Sequence, residues 1–203
     1  MKQPESRRQA KRRETHDRIA AAGLRLFLEH GYEATTLDAI AEAAGISRRT
    51  LFYYFASKDD IVLTWNGAGK VSSAIGPAIL SQSPDSNPLD AARTCLVDLA
   101  SQFEAPESRA VDALMRSSEG LRLRKDAVFV ALESTLVEAF ATLWLDPARQ
   151  TELRTTAMIA VGVLRLALDD WRDSAVPRPL ADHISEGFAA LDQVDWSTTA
   201  RRA

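Results

Sequence analysis

The dipeptide Gly45-Ile46 constrains this chain more than any other feature. Before it, Leu37, Ile40, Ala41 and Ala44 recur at helical spacing behind Thr35 and Thr36, with Asp38 three residues after Thr35 as a capping box requires. After it, Ser47 is a good N-cap for the run RRTLFYYF, and Ile46 is placed to pack on Leu51 as a hydrophobic staple. Two short helices separated by two residues, over 36–54, have the spacing of a helix-turn-helix, in which the second helix enters the DNA major groove.

The rest of the chain also reads as helix. Ile19, Ala22, Gly23, Leu26 and Phe27 share a face of a first helix from Glu14 to His30, stopped by Gly31. Ser57 with Asp60 opens a fourth helix running toward Gly76-Pro77, and SQSPDSNP at 81–88 is a loop by composition. Asn87-Pro88 and Asp146-Pro147 pair a cap with a first-turn proline, Pro106 starts another helix, and Ser118-Glu119-Gly120 precedes a long run to Leu145. The helix after Pro147 continues to about Arg172, and a last one carries Leu180, Ile184, Gly187, Phe188 and Leu191 on one face. No segment has strand periodicity and none repeats.

With 46% hydrophobic and 26% charged residues, the 203-residue chain has a globular composition. Its single cysteine, Cys95, has no intramolecular partner and reads as a small buried hydrophobe in a reducing setting. No apolar run reaches the ~18 residues of a membrane span, and the arginine-rich start lacks a secretory signal's apolar stretch. A cytoplasmic protein is expected. The net charge of −3 is unevenly spread, because residues 1–58 hold eleven basic and seven acidic side chains, leaving −7 on the remainder. That asymmetry suggests a basic N-terminal part that meets an anion, although Lys2, Arg7, Arg8, Lys11, Arg12 and Arg13 as a solvated tail would produce it too.

Turning the third helix by about 100° per residue gathers Leu51, Phe52 and Phe55 on one side and Arg49, Thr50 and Tyr53 on the other, with Tyr54 flanking. The first side is expected in the core. The second offers an arginine, which reads guanine edges, and tyrosine hydroxyls, which donate to phosphates. Arg48 lies nearer the apolar side by angle but in the first turn. Lys58 opposes the positive end of its helix's macrodipole; it is either an ordinary exposed lysine or a phosphate ligand. Thr36 is likewise a cap first and a phosphate contact second.

The order GYEATTLDAIAEAAGISRRTLFYYFASKDDIV resembles the DNA-binding domain of the TetR family of bacterial transcriptional regulators, from about Asp17 to Val62. Gly31-Tyr32, Thr35-Thr36, Ile40-Ala41, Ala44-Gly45, Thr50-Leu51, Phe55 and Ser57-Lys58 carry the likeness. The resemblance implies an all-α protein: a three-helix helix-turn-helix domain, then a helical domain that binds a small molecule and dimerises. It divides the chain into a basic arm (1–16), the DNA-binding domain (17–60), the ligand-binding and dimerisation domain (61–192) and a tail (193–203). By position, Thr36, Ser47, Arg48, Arg49, Thr50, Tyr53, Tyr54 and Lys58 sit where the family contacts DNA, with base reading falling mainly to Arg49 and next to Arg48. Position 49 is often small in relatives and Phe52 stands where tyrosine is common, which leaves the operator sequence open and removes one hydroxyl.

The resemblance further implies a repressor that binds a palindromic double-stranded operator as a homodimer and is released by a small-molecule inducer, with no metal, no cofactor and no enzymatic activity. AMIAVGVLRLAL at 157–168 is apolar around most of its circumference and too short for a membrane, so its helix (about 147–172) either forms with the last helix (179–192) the family's dimer seam of two helices from each subunit, with Leu164 in it, or is a central core helix. Trp65, Phe103, Met115, Phe129 and Trp144 read as core before pocket; Arg116, Arg122 and Arg124 read as surface before anion site. RAVDALMRSSEGLRLRK together with RRTLFYYFASK is similar to relatives associated with acyl-CoA, so an acyl-CoA or other apolar metabolite is the expected effector, with no pocket residue assigned. Gly67 and Gly69 on the fourth helix are bending points or close-packing sites. Two other readings compete. An enzyme is disfavoured because His16, His30 and His183 lie far apart and neither a zinc-ligand pair nor a nucleophile elbow is present; a ligand-binding protein without DNA binding is disfavoured by the retained Arg49, Tyr53, Tyr54 and Lys58.

Overall fold

Ser6 caps the first helix of the described residues. Its hydroxyl accepts from the Gln9 amide at 3.3 Å while the Gln9 side chain accepts from the Ser6 amide at 3.0 Å, a complete capping box. The first helix, α1 (Arg7–His30), therefore starts well before Glu14. Its opening turns are polar on every side and give no apolar period, so the basic segment 7–16 is helix. The computed structural model describes residues 6–65 and 68–194. Among these every regular element is helical: α2 (Leu37–Ala43), α3 (Arg48–Tyr54), α4 (Lys58–Trp65), α5 (Ala68–Leu80), α6 (Pro88–Phe103), α7 (Ser108–Arg116), α8 (Glu119–Leu143), α9 (Gln150–Asp173, after a 3-10 turn at Pro147–Arg149) and α10 (Leu180–Asp192).

Several boundaries differ from the sequence reading. The expected single fourth helix is α4 and α5, and Gly67 lies outside the described residues, as do Lys2 and the tail from 195. Pro77 does not stop α5: Ile75 and Ile79 on either side are fully buried, so packing outweighs the hydrogen bond that proline cannot make. α2 is capped by Thr36, whose hydroxyl accepts from the Ala39 amide at 3.1 Å. Thr35 faces inward, and its hydroxyl is shared between the carbonyls of Leu26 (3.1 Å) and Gly31 (2.8 Å).

The helices form two compact units, one of Met1–Lys70 and Ala105–Val128, the other of Val71–Glu104 and Phe129–Ala203. In the first, Ile19, Phe27, Ile40, Leu51 and Ile61 make a core that Val111, Leu114, Met115 and Leu121 of α7 and α8 join. Burying each such side chain contributes about 1.5–3 kcal/mol. For this reason 105–128 packs with the N-terminal helices rather than with its neighbours in sequence. The Trp65 indole N–H donates to the Ala20 carbonyl at 2.8 Å, fixing the end of α4 to α1.

In the second unit α10 packs on α6 and α9 around Leu96, Phe140, Ala160 and Phe188. Glu104 ends α6 and accepts from both the Trp171 indole (3.1 Å) and the Leu180 amide (2.8 Å), placing a carboxylate at the N-terminus of α10, where the helix dipole favours it. Cys95 is buried there, and burial, followed by the nearby Asp98, raises its thiol from the usual 9.0 to about 11. Phe129 and Trp144 are core, as is Met115 in the first unit. Leu164 is also core and not an outer seam residue: it is 8% exposed, while Met158 and Leu166 on the same helix are 59% and 64% exposed.

Candidate nucleic-acid interface

Gly45 adopts φ +64°, a left-handed conformation that costs glycine nothing, and this lets the Ile46 amide bond back to the Ala41 carbonyl at 3.0 Å. The chain then re-enters helix at once. The Ser47 hydroxyl accepts from the Thr50 amide at 3.1 Å and lies 2.8 Å from the Thr50 hydroxyl, so both are held at the start of α3. Leu51 and Phe55 anchor α3 in the core, and His16 of α1 stacks on Phe55 at 4.7 Å.

The outward face is broader than the helical-wheel reading. Phe52, expected beside Leu51 in the core, is 46% exposed. In a seven-residue helix held by Leu51 and Phe55, a side chain 100° from Leu51 falls at the edge of the buried sector. The Arg48 guanidinium covers it from 5.6 Å, and Arg48 also pairs with Asp38 of α2 at 2.7 Å. Both partners are more than half exposed, so this pair contributes only about 0–1 kcal/mol, and a stronger anion would displace Asp38. Arg49 is exposed. Tyr53, at 66% exposure, meets half-buried Tyr54 edge to face with ring centres 5.2 Å apart. Arg12 of α1 lies 5.4 Å over the Tyr53 ring.

Lys58 is the first residue of α4, and its placement has a local cause. Its ammonium donates to the carbonyls of Tyr32 (2.8 Å) and Glu33 (3.4 Å) and sits 4.5 Å over the Tyr32 ring. The two carbonyls of the turn after α1 thus offset the unfavourable macrodipole of the lysine's own helix. The Tyr32 hydroxyl donates to Asp59, and burial, reinforced by that hydrogen bond, pushes its phenol well above the usual range. Arg124 of α8 is not bare surface: it pairs with Asp59 at 2.8 Å and Asp60 at 3.3 Å. This Tyr32–Asp59–Arg124 network braces the start of α4. Nothing in one sequence links position 124 to position 59, whereas Asp59-Asp60 at a helix start is a dipole signal that could have been read.

Of the eight residues expected at DNA, Ser47, Arg48, Arg49, Thr50, Tyr53 and Tyr54 thus lie together on α3 and its cap, while Thr36 and Lys58 mark the starts of α2 and α4. Their chemistry is that of a donor-rich surface: two guanidiniums, an ammonium, three aliphatic hydroxyls and two phenols, with Asp38 paired to one of the guanidiniums.

The family model described as bacterial regulatory proteins, tetR family, matches residues 19–64. Residues of the chain are 35% identical over 113 positions to the HTH-type transcriptional regulator TcmR of Streptomyces glaucescens, covering 56% of this chain and 46% of that protein. They are 44% identical over 45 positions to the biofilm operon icaADBC HTH-type negative transcriptional regulator IcaR of Staphylococcus aureus, covering 22% and 24%. The chain therefore spans less than half the length of these curated relatives. The fold is shared with the transcriptional regulator FadR of Bacillus subtilis, solved in complex with stearoyl-CoA, at a TM-score of 0.61 and 16% identity over 87% of this chain and 97% of that one. Residues 19–64 thus match the DNA-binding domain of the tetR family of bacterial regulatory proteins, and the all-helical fold as a whole is one that FadR shares.

Proposed function

We propose that the protein is a cytoplasmic, ligand-responsive transcriptional repressor that binds a pseudo-palindromic operator as a homodimer and is released from it by a small-molecule inducer. The observation that carries this reading is the outer face of α3, where Arg49, Tyr53 and the Ser47–Thr50 hydroxyls are rigidly presented by a helix whose opposite side is anchored through Leu51 and Phe55. Arg49 reads a base edge; Arg48, once Asp38 is displaced, is second to it. Ser47, Thr50, Tyr53 and Tyr54 fix the register on phosphates, as do Thr36 and the remaining N–H of Lys58.

The homodimer is supported by α9. Met158, Gly162 and Leu166 follow one another at one-turn spacing outside the protomer core, and a Cβ added at Gly162 would meet nothing within 4 Å. A glycine inside a helix costs about 0.5–1 kcal/mol relative to alanine, a cost that nothing within the protomer explains and that a second helix crossing there would. A two-fold protein requires a two-fold site. For the inducer, acyl-CoA is favoured by the sequence likeness of the 109–125 segment and by the stearoyl-CoA bound to the structurally similar FadR. The test is a gel shift on DNA flanking the protein's own gene: wild type retards a discrete fragment, Arg49→Ala loses the preference for it, and stearoyl-CoA releases it. Equal retardation of all fragments by both proteins would refute sequence-specific repression.

A further inference from the structure

The start of α1 carries charge that the base-reading face does not use. Arg7, Arg8, Lys11, Arg12 and Arg13 crowd its first two turns, with no acidic residue in the first turn. Arg7 and Arg8 in the first turn oppose the positive end of the helix macrodipole, so the isolated protein gains nothing from placing them there. The placement is also specific. Gln9, Arg12, Arg13 and His16, spaced along one side of α1, line a depression of about 240 Å³ closed on the other side by Tyr54 of α3. Each of these side chains carries an N–H or O–H donor, and none is a carboxylate. Arg12 is held over Tyr53 and His16 is stacked on Phe55, so the rim of the depression is fixed to the recognition helix itself.

We propose that this depression seats a backbone phosphate of the same duplex that α3 reads, making the first three turns of α1 a second DNA-contact surface. The inference rests on α3 being the DNA-reading helix. Arg12 supplies the charge, with Gln9 and the Tyr54 hydroxyl donating alongside, and Arg8, one turn earlier on the same side, extends the basic surface. A phosphate satisfies several of these donors at once and offsets the like-charge crowding. Because it is a backbone contact, it adds affinity to every sequence and selects none.

The probes are two duplexes: one enriched from a random library by the wild-type protein, and one of random sequence. Anisotropy titrations over a salt series are run for wild type, Arg12→Gln, Arg25→Gln, Tyr54→Phe and Arg49→Ala. Arg25 is exposed on the same helix and removes the same charge away from the depression. Arg12→Gln should weaken binding to both duplexes several-fold, lower the salt slope by about 0.9, and leave their affinity ratio unchanged. Arg25→Gln should behave as wild type. Tyr54→Phe should weaken both duplexes with the slope intact, since it removes a hydrogen bond and no charge. Equal slopes and affinities for Arg12→Gln and Arg25→Gln, with Arg49→Ala still losing the ratio, would overturn the α1 site and leave the reading of α3 standing. No binding of either duplex by wild type at low salt would remove both.

Discussion

Replacing Gly23 by alanine tests whether α1, α2 and α4 meet as closely as the first unit's core implies. A Cβ at this position would stand 2.5 Å from the Ile61 Cγ2 methyl, 3.6 Å from the Phe27 ring and 3.7 Å from the Ile40 Cδ1 methyl. Carbon atoms in favourable contact are about 3.5–4.0 Å apart, so Ile61 must retreat by roughly 1 Å. It has nowhere to go, since Ile61 and Ile40 are both at 0% exposure. Overpacking of this kind costs about 1–3 kcal/mol, against which alanine regains about 1 kcal/mol of helix propensity. The expected net loss is about 0–2 kcal/mol. Ile61→Leu moves the branch from Cβ to Cγ and deletes the clashing methyl, so the double variant should recover about 1 kcal/mol of the combined loss as coupling energy. Urea unfolding by circular dichroism gives the global change, and hydrogen exchange over peptides covering 19–27 isolates the first unit if the two units unfold separately. A higher midpoint for Gly23→Ala than for wild type would refute the close approach.

Lys58→Met leaves the Tyr32 and Glu33 carbonyls without their charged donor and should lower thermal stability by about 1–3 kcal/mol; DNA affinity lost with an unchanged melting curve would give Lys58 a purely phosphate-binding role. Leu166→Glu should yield folded monomers by sedimentation, whereas Leu164→Glu, inside the core, should unfold the second unit; a persisting Leu166→Glu dimer would put the seam elsewhere. Because the folded Cys95 thiol ionises only near pH 11, stability carried by its neutral form is complete below the unfolded value of about 9 and declines as pH rises from about 9 toward 11, a decline that Cys95→Ala should abolish in denaturant titrations. An inducer that weakens operator binding must itself bind more weakly, by the same factor, when operator is saturating, and calorimetry in both states measures this; equal affinities would break the two-state account.

The helix-turn-helix was legible because its signals are local. Gly45, the Ser47 cap and the Thr36 cap all act within a few residues, and each does in the structure what its chemistry dictates; Ile46 packs against the same core that holds Leu51. Where sequence reasoning fell short, the deciding partner was either distant or absent from the apolar period. Thr35 and Thr36 are equivalent hydroxyls until the carbonyls of Leu26 and Gly31 claim the first. The early start of α1 was written in Ser6 and Gln9, but a helix that is polar all round has no stripe to reveal it. Phe52 departs from the helical wheel because a seven-residue helix held at Leu51 and Phe55 leaves its flanks in solvent. Arg124 and Leu164 depended on which helices pack on which, and no single sequence states that.

The most direct test of DNA reading by α3 is in vitro selection from a random duplex library with wild-type protein and with Arg49→Ala in parallel. The wild type should enrich a two-fold symmetric sequence with half-sites spaced for two recognition helices, and Arg49→Ala should lose about 1–3 kcal/mol on that sequence and relax one base position in each half-site. Enrichment of the same sequence to the same degree by both proteins, or no enrichment by the wild type, would contradict it.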